Sequence, residues 1–370
     1  MPKIQLANGQ TIKAIRVWDG VKWTDRIGRV YTDKWLDFIS YYEKYLYTGL
    51  GWGNNSIYFL EMVQFSYDGA EKNRYNFNIR EICNTIETDP NGNVYYGHTK
   101  GYAIFDKSFG IIRSSNYYVT DIAVSKNGDY AFISNYGAYD NVALFFMSKN
   151  GETKKIVEIP KRNPYMVNRG MCYDNEGNIY THINPGELTK FDAAGNKLLS
   201  FQVPTTSYGY SYGSIDIDTE GNLYRLRDET IEKYDKTGKL IKNVKLSDKR
   251  DVRGYLYADK DFVFVAIANY FPITTGTGGE VEDSLIKLTK NLEVVQRING
   301  ERFNTGSAPS FGDSIYCDRE DGVYTVGVGK VRKNSKNDLS LIWEKNLNIG
   351  SLNGGKCACT PGRYGTFGEV

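Results

Sequence analysis

Histidine, cysteine, proline and methionine are scarce in this chain of 370 residues, which contains two His, five Cys, nine Pro and five Met. Because His and Cys are so few, and neither HExxH nor paired CxxC spacing occurs, the sequence predicts no metal site and no cofactor. An odd number of cysteines spread over a long chain argues against a disulfide framework. We therefore expect reduced thiols, as in a protein made in a cytoplasm.

Long apolar runs are also missing, and no stretch approaches the roughly 18 residues that a membrane helix needs. The beginning, MPKIQLANGQTIK, has no apolar signal region. Neither sign of charge dominates, since the chain contains 46 Lys and Arg and 44 Asp and Glu, and its formal net charge is +2. We expect no membrane span, no Sec signal and no nucleic-acid partner.

The abundant residues are tyrosine and glycine, with 30 Tyr and 38 Gly. This balance favours pleated, turn-rich structure over long helices. Hydrophobic residues make up 41% and charged residues 24%, which is close to the average of soluble globular proteins. The composition predicts an all-β protein with a packed core.

A repeated hairpin dominates the chain and is clearest in FDAAGNKLLSFQV (191 to 203) and YDKTGKLIKNVKL (234 to 246). The predicted turn positions are Gly69, Gly110, Gly151, Gly195, Gly238, Asn291 and Asp338. Their successive spacings are 41, 41, 44, 43, 53 and 47 residues. Gly and Asn suit such turns because they accept positive φ, and Asp and Ser hydrogen-bond to their own backbone.

A second hairpin precedes most of these turns, with an acidic turn followed by Gly, Asn, an aliphatic residue and Tyr. It is seen in DPNGNVYY (89 to 96), DNEGNIY (174 to 180) and DTEGNLY (218 to 224). Two hairpins give four strands in a unit of the size of a propeller blade. We predict a β-propeller of seven four-stranded blades over residues 40–347.

The first strand of each unit shows period-two alternation before its turn, as at Ile215 and Ile217. This pattern predicts a strand with one buried face. Cys172 and Cys317 fall on such strands, where we expect them to be inert and buried. The repeat resembles the NHL-like propeller repeat, whose blades carry a similar D-x-x-G-N-[ILV]-Y pattern and a later [FY]-D-x-x-G pattern. That resemblance implies an architecture and no particular activity.

Residues 1–39 do not fit the repeat and form a separate predicted segment. VWDGVKW (17 to 23) and VYTDKW (30 to 35) each predict an aromatic hairpin with a two-residue turn. Trp18, Trp23, Tyr31 and Trp35 need a partner surface, because so small a segment cannot bury them. The partner is either the propeller or another chain.

The segment IKAIRVWDGVKWTDRIGRVYTDKW resembles the VWDGxKW modules of structural proteins in bacteriophages of Gram-positive bacteria, especially tail, baseplate and fibre components. The resemblance implies a virion protein, synthesised in the host cytoplasm, that docks onto other virion proteins through residues 1–39 and is oligomeric in the particle. Residues 348–370 are expected to form a disordered tail in which Cys357 and Cys359 are accessible.

Three apparent chemical motifs are better explained structurally. His98 and His182 lie on opposite faces of equivalent strands, so they do not form a shared site. GYSYG (209 to 213) matches a nucleophile elbow, but no strand and helix flank it as that motif requires. The acids at 216, 218 and 220 resemble a calcium loop whose twelfth position is Arg227. We interpret these acids as turn residues and predict no catalytic residue.

Long connections rich in Tyr, Asn, Ser, Thr and Gly are predicted on one face of the ring, at 135–141, 161–169, 205–212, 271–283 and 302–311. Tyrosine offers flat contact area, and arginine can bind anions. The predicted binding residues are Tyr136, Tyr139, Arg162, Tyr165, Arg169, Tyr208, Tyr210 and Tyr212, which suit a cell-wall polysaccharide or teichoic acid.

These features together predict a non-enzymatic tail or baseplate component that docks through its N-terminal segment and displays a propeller for host adsorption. One alternative is a carbohydrate-active propeller enzyme, a glycosidase or lyase, which would need two carboxylates converging in the ring. Another is a purely structural decoration or collar protein.

Overall fold

The computed structural model describes residues 4–5, 11–12, 16–18, 23–25, 29–31, 35–37, 45–52, 59–77, 83–135, 142–159, 170–184, 186–205, 213–248, 252–271, 280–304, 314–318, 320–327, 330–347 and 352–359. The chain divides into two units, Met1–Lys44 with Thr366–Val370, and Tyr45–Gly365. In the first unit, six short strands pair as hairpins: β1 (Ile4–Gln5) with β2 (Thr11–Ile12), β3 (Arg16–Trp18) with β4 (Trp23–Asp25), and β5 (Arg29–Tyr31) with β6 (Trp35–Asp37).

The second unit consists of seven antiparallel sheets of four strands. Blade 1 comprises β7 (Tyr45–Trp52), β8 (Phe59–Ser66), β9 (Glu71–Asn76) and a strand from the far end of the chain, β34 (Leu352–Cys359). Blade 2 comprises β10 (Cys83–Thr88), β11 (Val94–His98), β12 (Gly101–Phe105) and β13 (Ile111–Ser115). Blade 3 comprises β14 (Tyr118–Val124), β15 (Tyr130–Asn135), β16 (Val142–Met147) and β17 (Thr153–Ile159).

The remaining four blades follow in chain order. Blade 4 comprises β18 (Met171–Tyr173), β19 (Ile179–Asn184), β20 (Glu187–Phe191) and β21 (Lys197–Gln202). Blade 5 comprises β22 (Gly213–Ile217), β23 (Leu223–Arg227), β24 (Thr230–Tyr234) and β25 (Leu240–Lys245). Blade 6 comprises β26 (Val252–Ala258), β27 (Phe262–Phe271), β28 (Glu280–Thr289) and β29 (Val294–Asn304). Blade 7 comprises β30 (Ser314–Cys317), β31 (Gly322–Gly327), β32 (Lys330–Ser335) and β33 (Leu341–Asn346).

The first strands of successive blades contact one another in the order β10, β14, β18, β22, β26, β30 and β34, and β34 contacts β10. This closes the blades into a ring and confirms the predicted seven-bladed β-propeller. Because the strands of a blade are antiparallel, its first-to-second and third-to-fourth turns lie at one end. We call this end of the ring the hairpin face. The opposite end, the crossover face, carries the second-to-third turns and the connections between blades.

The end of the chain closes the ring, because β34 is the innermost strand of blade 1 and pairs with β7. Cys357 pairs with Thr48, and Cys359 pairs with Leu46. The expectation of a disordered tail after residue 347 is therefore wrong for residues 352–359. Its sequence, LNGGKCAC, contains Asn353, Gly354 and Gly355, which favour turns and weaken a strand pattern, so only its pairing with β7 shows the strand.

All seven predicted turns lie between the third and fourth strands of their blades. In three blades the predicted position is one residue off, because the residues with positive φ are Phe109, Leu292 and Leu339. Each of these donates its N–H to a carbonyl at the start of its turn, as Gly195 does to Asp192. The error arises because the rule that glycine takes the positive-φ position fails in these three turns.

The identity of the residue at that position depends on the neighbouring blade. At Gly69, an added Cβ would lie 2.9 Å from Cδ2 of Trp343 in blade 7, and at Gly238 it would overlap Phe201 in blade 4. Leu292 and Leu339 are themselves almost fully buried. A large side chain from the preceding blade thus covers each of these two glycines, whereas the two leucines fill the equivalent space themselves, at the cost of a strained φ.

Hydrogen bonds on the hairpin face explain the D-x-x-G-N-x-Y repeat. Asp218 accepts hydrogen bonds from the backbone N–H groups of Glu220 and Asn222 and from the hydroxyl of Tyr224, the last at 3.0 Å. Asp318 accepts an equivalent bond from Tyr324 at 2.9 Å. The repeat therefore joins a turn to the second strand of its own blade. The interpretation as a turn residue holds for Asp218 but is wrong for Asp216, which lies on β22.

Candidate functional site

The eight predicted binding residues lie outside the described residues, in the segments 136–141, 160–169 and 206–212. The described strands determine which ends these segments join. Segment 136–141 connects the second and third strands of blade 3, and the other two connect successive blades. By topology, the strand ends that these three segments join lie at the crossover face. The roles of the eight residues stay predictions.

Two further predicted connections are shorter than expected. β27 extends to Phe271 and pairs there with Glu280 at the start of β28, and β29 continues to Asn304. The expected connections 271–283 and 302–311 are thus partly strand. Blade 6 has the longest strands in the described part of the chain, because its pairing continues beyond the usual blade height.

A cavity of about 90 Å³ lies among the first strands of blades 2 to 7. This volume suits several water molecules and is small beside typical ligand pockets. Its lining includes the carboxylates Glu87, Asp121 and Asp216 together with Ser214 and Ser314. Carboxylates on the ring axis are what the glycosidase or lyase alternative requires.

Two of these carboxylates connect neighbouring blades. Asp216 Oδ2 accepts the backbone N–H of Ala258 at 2.7 Å, and Asp121 Oδ2 accepts that of Gly170 at 3.1 Å. Both are almost fully buried. β14 and β22 are buried on both faces, contrary to the predicted single buried face, and Asp121 and Asp216 can be buried there because they accept backbone N–H groups of the next blade.

A buried ionic cluster lies in blade 5, where it was not predicted. Arg225 is 0% exposed, and its Nη1 lies 2.8 Å from Oε2 of Glu232. Arg227 Nε donates to the other oxygen, Oε1, at 3.1 Å, and the hydroxyl of Tyr234 donates to Oε2 at 2.7 Å. Seven residues after the turn aspartate, blades 4 and 7 instead have threonine, Thr181 and Thr325. The charged residue at this repeat position was the available sequence signal.

This cluster also holds the beginning of the connection between blades 4 and 5. Arg225 Nη2 donates to the carbonyl of Pro204 at 2.9 Å, and Arg227 Nη1 donates to that of Thr205 at 3.5 Å. The next residues along the chain are 206–212, which contain three predicted binding tyrosines. The two arginines therefore anchor the backbone that leads into this connection.

Tyr117 is a second residue that the sequence analysis missed. Asn116 and Tyr117 form the connection between β13 of blade 2 and β14 of blade 3, on the crossover face. Tyr117 is 44% exposed, and it is the one exposed aromatic residue among those whose side-chain exposure the structure describes. The other exposed large apolar side chains in that set are aliphatic and lie on fourth strands. A tyrosine directly before Tyr118, the first residue of β14, was the available signal.

The two histidines are buried, as the structural interpretation expects. His182 is fully buried on β19, and His98 lies at the end of β11, where its Nδ1 accepts the backbone N–H of Lys100 at 3.2 Å. Burial, with the nearby charge of Lys100, lowers the pKa of His98 from 6.5 to about 4. His98 is thus a neutral acceptor at neutral pH.

Acid is expected to destabilise the propeller through His98. Below pH 6.5 the unfolded chain binds a proton at this residue while the folded protein does not, so stability falls as the pH drops from 6.5 to 4. The expected loss is about 3 kcal/mol. Urea unfolding at several pH values measures it. His98→Asn, which keeps an acceptor near the position of Nδ1, should lack this loss, and identical pH profiles for both proteins would contradict the assignment.

Cys172 and Cys317 are buried as predicted, each 2% exposed, and Cys83 is equally buried. Gly213, the last residue of GYSYG, begins strand β22, so a strand follows this motif where a nucleophile elbow requires a helix. No group of three or more His, Cys, Asp or Glu side chains that could hold a metal ion occurs among the described residues. Nor does that part of the chain contain a helix of the length and apolarity needed to cross a membrane.

The predicted attachment residues lie on the paired N-terminal strands. Trp18 of β3 pairs with Trp23 of β4, and Tyr31 of β5 pairs with Trp35 of β6. Both predicted aromatic hairpins therefore form. The loops are longer than the predicted two residues, because residues 19–22 and 32–34 separate the paired positions.

No protein-family model matches the chain, and no curated protein matches it significantly. Among solved structures, it is similar to a protein of unknown function from Bacteroides caccae, with 11% identity over 85% of this chain and 98% of the other, and a TM-score of 0.42. It is also similar to a catalytically inactive virginiamycin B lyase from Staphylococcus aureus solved with quinupristin, with 15% identity, coverages of 78% and 94%, and a TM-score of 0.49. Neither likeness says anything about the activity of this chain.

Proposed function

We propose that the chain is a non-enzymatic component of a bacteriophage tail or baseplate that binds a polymer of the host cell wall through its crossover face. The observation that carries the binding role is topological. The connections that contain the eight predicted binding residues all join strand ends on one face, whereas the opposite face carries short turns. A broad face rich in tyrosine suits recognition of a polysaccharide or teichoic acid.

The phage assignment is supported by the resemblance of residues 12–35 to VWDGxKW modules, and the two aromatic hairpins agree with it. Docking onto other virion proteins is assigned to Trp18, Trp23, Tyr31 and Trp35. The non-enzymatic assignment is supported by Asp121 and Asp216, whose oxygens accept backbone N–H groups of the next blade and so have a structural role.

Cosedimentation of the purified full-length protein with cell walls of Gram-positive bacteria tests the binding role. Replacing Tyr208, Tyr210 and Tyr212 together by alanine should weaken binding at least tenfold, roughly the effect of losing one or two stacked aromatic contacts. The melting temperature should stay near that of the wild type. The matched control replaces Trp18, Trp23 and Trp35 by alanine, which should leave wall binding unchanged and lower the solution mass of any oligomer.

Two results would overturn the proposal. Failure of the wild-type protein to bind any of the tested walls would remove the receptor role and favour the structural alternative. Release of soluble wall fragments during the incubation would show an enzyme.

A further inference from the structure

Tyr117 occupies an unusual place in the ring. It belongs to a connection of two residues between blades 2 and 3. Tyr117 therefore lies directly between the end of β13 and the beginning of β14. The backbone is tightly packed there, because a Cβ added at Gly101 would collide with the carbonyl oxygen of Ser115. The connection has little room to rearrange, which keeps Tyr117 at the crossover face.

Buried aromatic side chains hold the phenol ring of Tyr117 in place. The centroid of Tyr117 lies 5.0 Å from that of Phe145 and 6.0 Å from that of Phe132. Those two phenylalanines are stacked, with centroids 4.7 Å apart and an interplanar angle of 7°, and both are buried. Phe132 in turn packs on Tyr102 at 5.1 Å. Tyr117 is therefore the exposed end of an aromatic column that continues into the core.

Such a residue has the properties of a binding anchor. A flat ring that is already fixed by its neighbours loses little conformational entropy when a ligand packs on it. Nearly half of Tyr117 is accessible. Asn116 precedes it, and Lys100 precedes Gly101, which packs against Ser115 and Asn116; both residues are exposed. This part of the crossover face thus carries an aromatic ring, an amide and an ammonium group.

We infer that Tyr117 is a stacking anchor for a sugar ring of the wall polymer, which extends the ligand surface to blades 2 and 3. This inference rests on the proposed function. The C–H face of a pyranose packs flat on a tyrosine ring, while its hydroxyl groups find hydrogen-bond partners at the edge. A single lysine beside the ring provides little of the phosphate neutralisation on which nucleic-acid affinity depends, so a glycan is favoured over a nucleic acid.

Binding of the full-length protein to immobilised oligosaccharides and to purified Gram-positive cell walls tests this inference. The oligosaccharides contain glucose, rhamnose or N-acetylglucosamine. Tyr117→Ala should weaken binding roughly tenfold, the effect of removing one stacked aromatic ring. Tyr117→Phe, which keeps the ring, should stay within about threefold of wild type. Tyr117→Leu, which keeps apolar contact with Phe145 but lacks a flat face, should behave like the alanine variant.

The matched control is Leu341→Ala on β33, which removes an apolar side chain of similar exposure, 56%, from a fourth strand. It should bind as the wild type does. Melting temperatures of all variants separate binding from folding, because an anchor lowers affinity without a matching loss of stability.

Each other outcome overturns a distinct claim. If the Tyr208, Tyr210 and Tyr212 variant loses binding while Tyr117→Ala does not, Tyr117 is no anchor and the proposed function stands. If Tyr117→Leu binds as well as wild type, the contact is apolar packing and not stacking of a sugar ring. If the wild type binds none of the sugars or walls, both the inference and the proposed receptor role are wrong.

Discussion

Ending the chain at residue 347 is expected to destabilise the whole propeller. The truncation removes β34, so Tyr45–Trp52 loses its inner partner and stays paired only with β8. Six residue pairs of the ladder are lost, and blade 1 no longer packs against its neighbours through an inner strand. At about 1 kcal/mol for each backbone hydrogen bond, the loss is about 5 kcal/mol or more. Thermal unfolding should show a fall of 10 °C or more in melting temperature.

Two further proteins make this prediction specific. Removing only residues 361–370 should leave the melting temperature unchanged, because the closing strand is retained. A permuted chain that joins residues 352–359 through a short turn to Tyr45 and ends at residue 347 should regain stability, since Cys359 already pairs with Leu46. A truncated protein as stable as the full chain would show that β34 does not close the ring.

Replacing Glu232 by leucine is expected to lower the free energy of unfolding by about 3–5 kcal/mol, because it leaves Arg225 buried without a counter-charge. Adding Arg225→Met should recover part of this loss, since an apolar pair of similar volume needs no charge partner. Urea unfolding of the two single variants and the double variant gives the coupling energy. As a control, Asp248→Asn breaks the exposed ion pair with Lys245 and should change stability by less than about 1 kcal/mol.

The same variants bear on recognition. Arg225 and Arg227 hold the carbonyls of Pro204 and Thr205, so the cluster connects the core of blade 5 to the segment that contains Tyr208, Tyr210 and Tyr212. If the free energy of unfolding of Glu232→Leu is within about 1 kcal/mol of the wild-type value, the cluster is more hydrated than its burial indicates. In that case it does not stabilise this connection.

Much of the fold was predictable because the hairpin turns have strong local chemistry. Turns such as that of Asp192 and Gly195 need an acceptor side chain at the start and positive φ near the end, and few residues provide either. Their regular spacing then gave the blade size and number. Phe109, Leu292 and Leu339 were misplaced by one residue, because contacts with the neighbouring blade outweigh the local preference for glycine.

The candidate site was predictable to a smaller extent. The face that carries the long connections followed from counting strands, but Tyr117 and the cluster of Arg225 and Glu232 did not. Exposure of Tyr117 depends on its packing against Phe132 and Phe145, which lie on two other strands. Burial of Arg225 depends on residues from blade 4 and from its own blade. Neither property can be deduced from the composition of a short segment.

The amino-acid sequence by itself determined the class, the repeat and the tight turns of this protein, because these depend on contacts between residues a few positions apart. Only the tertiary structure decided how the ring closes, which inner carboxylates join neighbouring blades, and which aromatic ring is presented to solvent. These features join residues that are distant in the chain, as when Leu352–Cys359 pairs with Tyr45–Trp52. Their free energy comes from burial and hydrogen bonding that exist only once the blades are assembled.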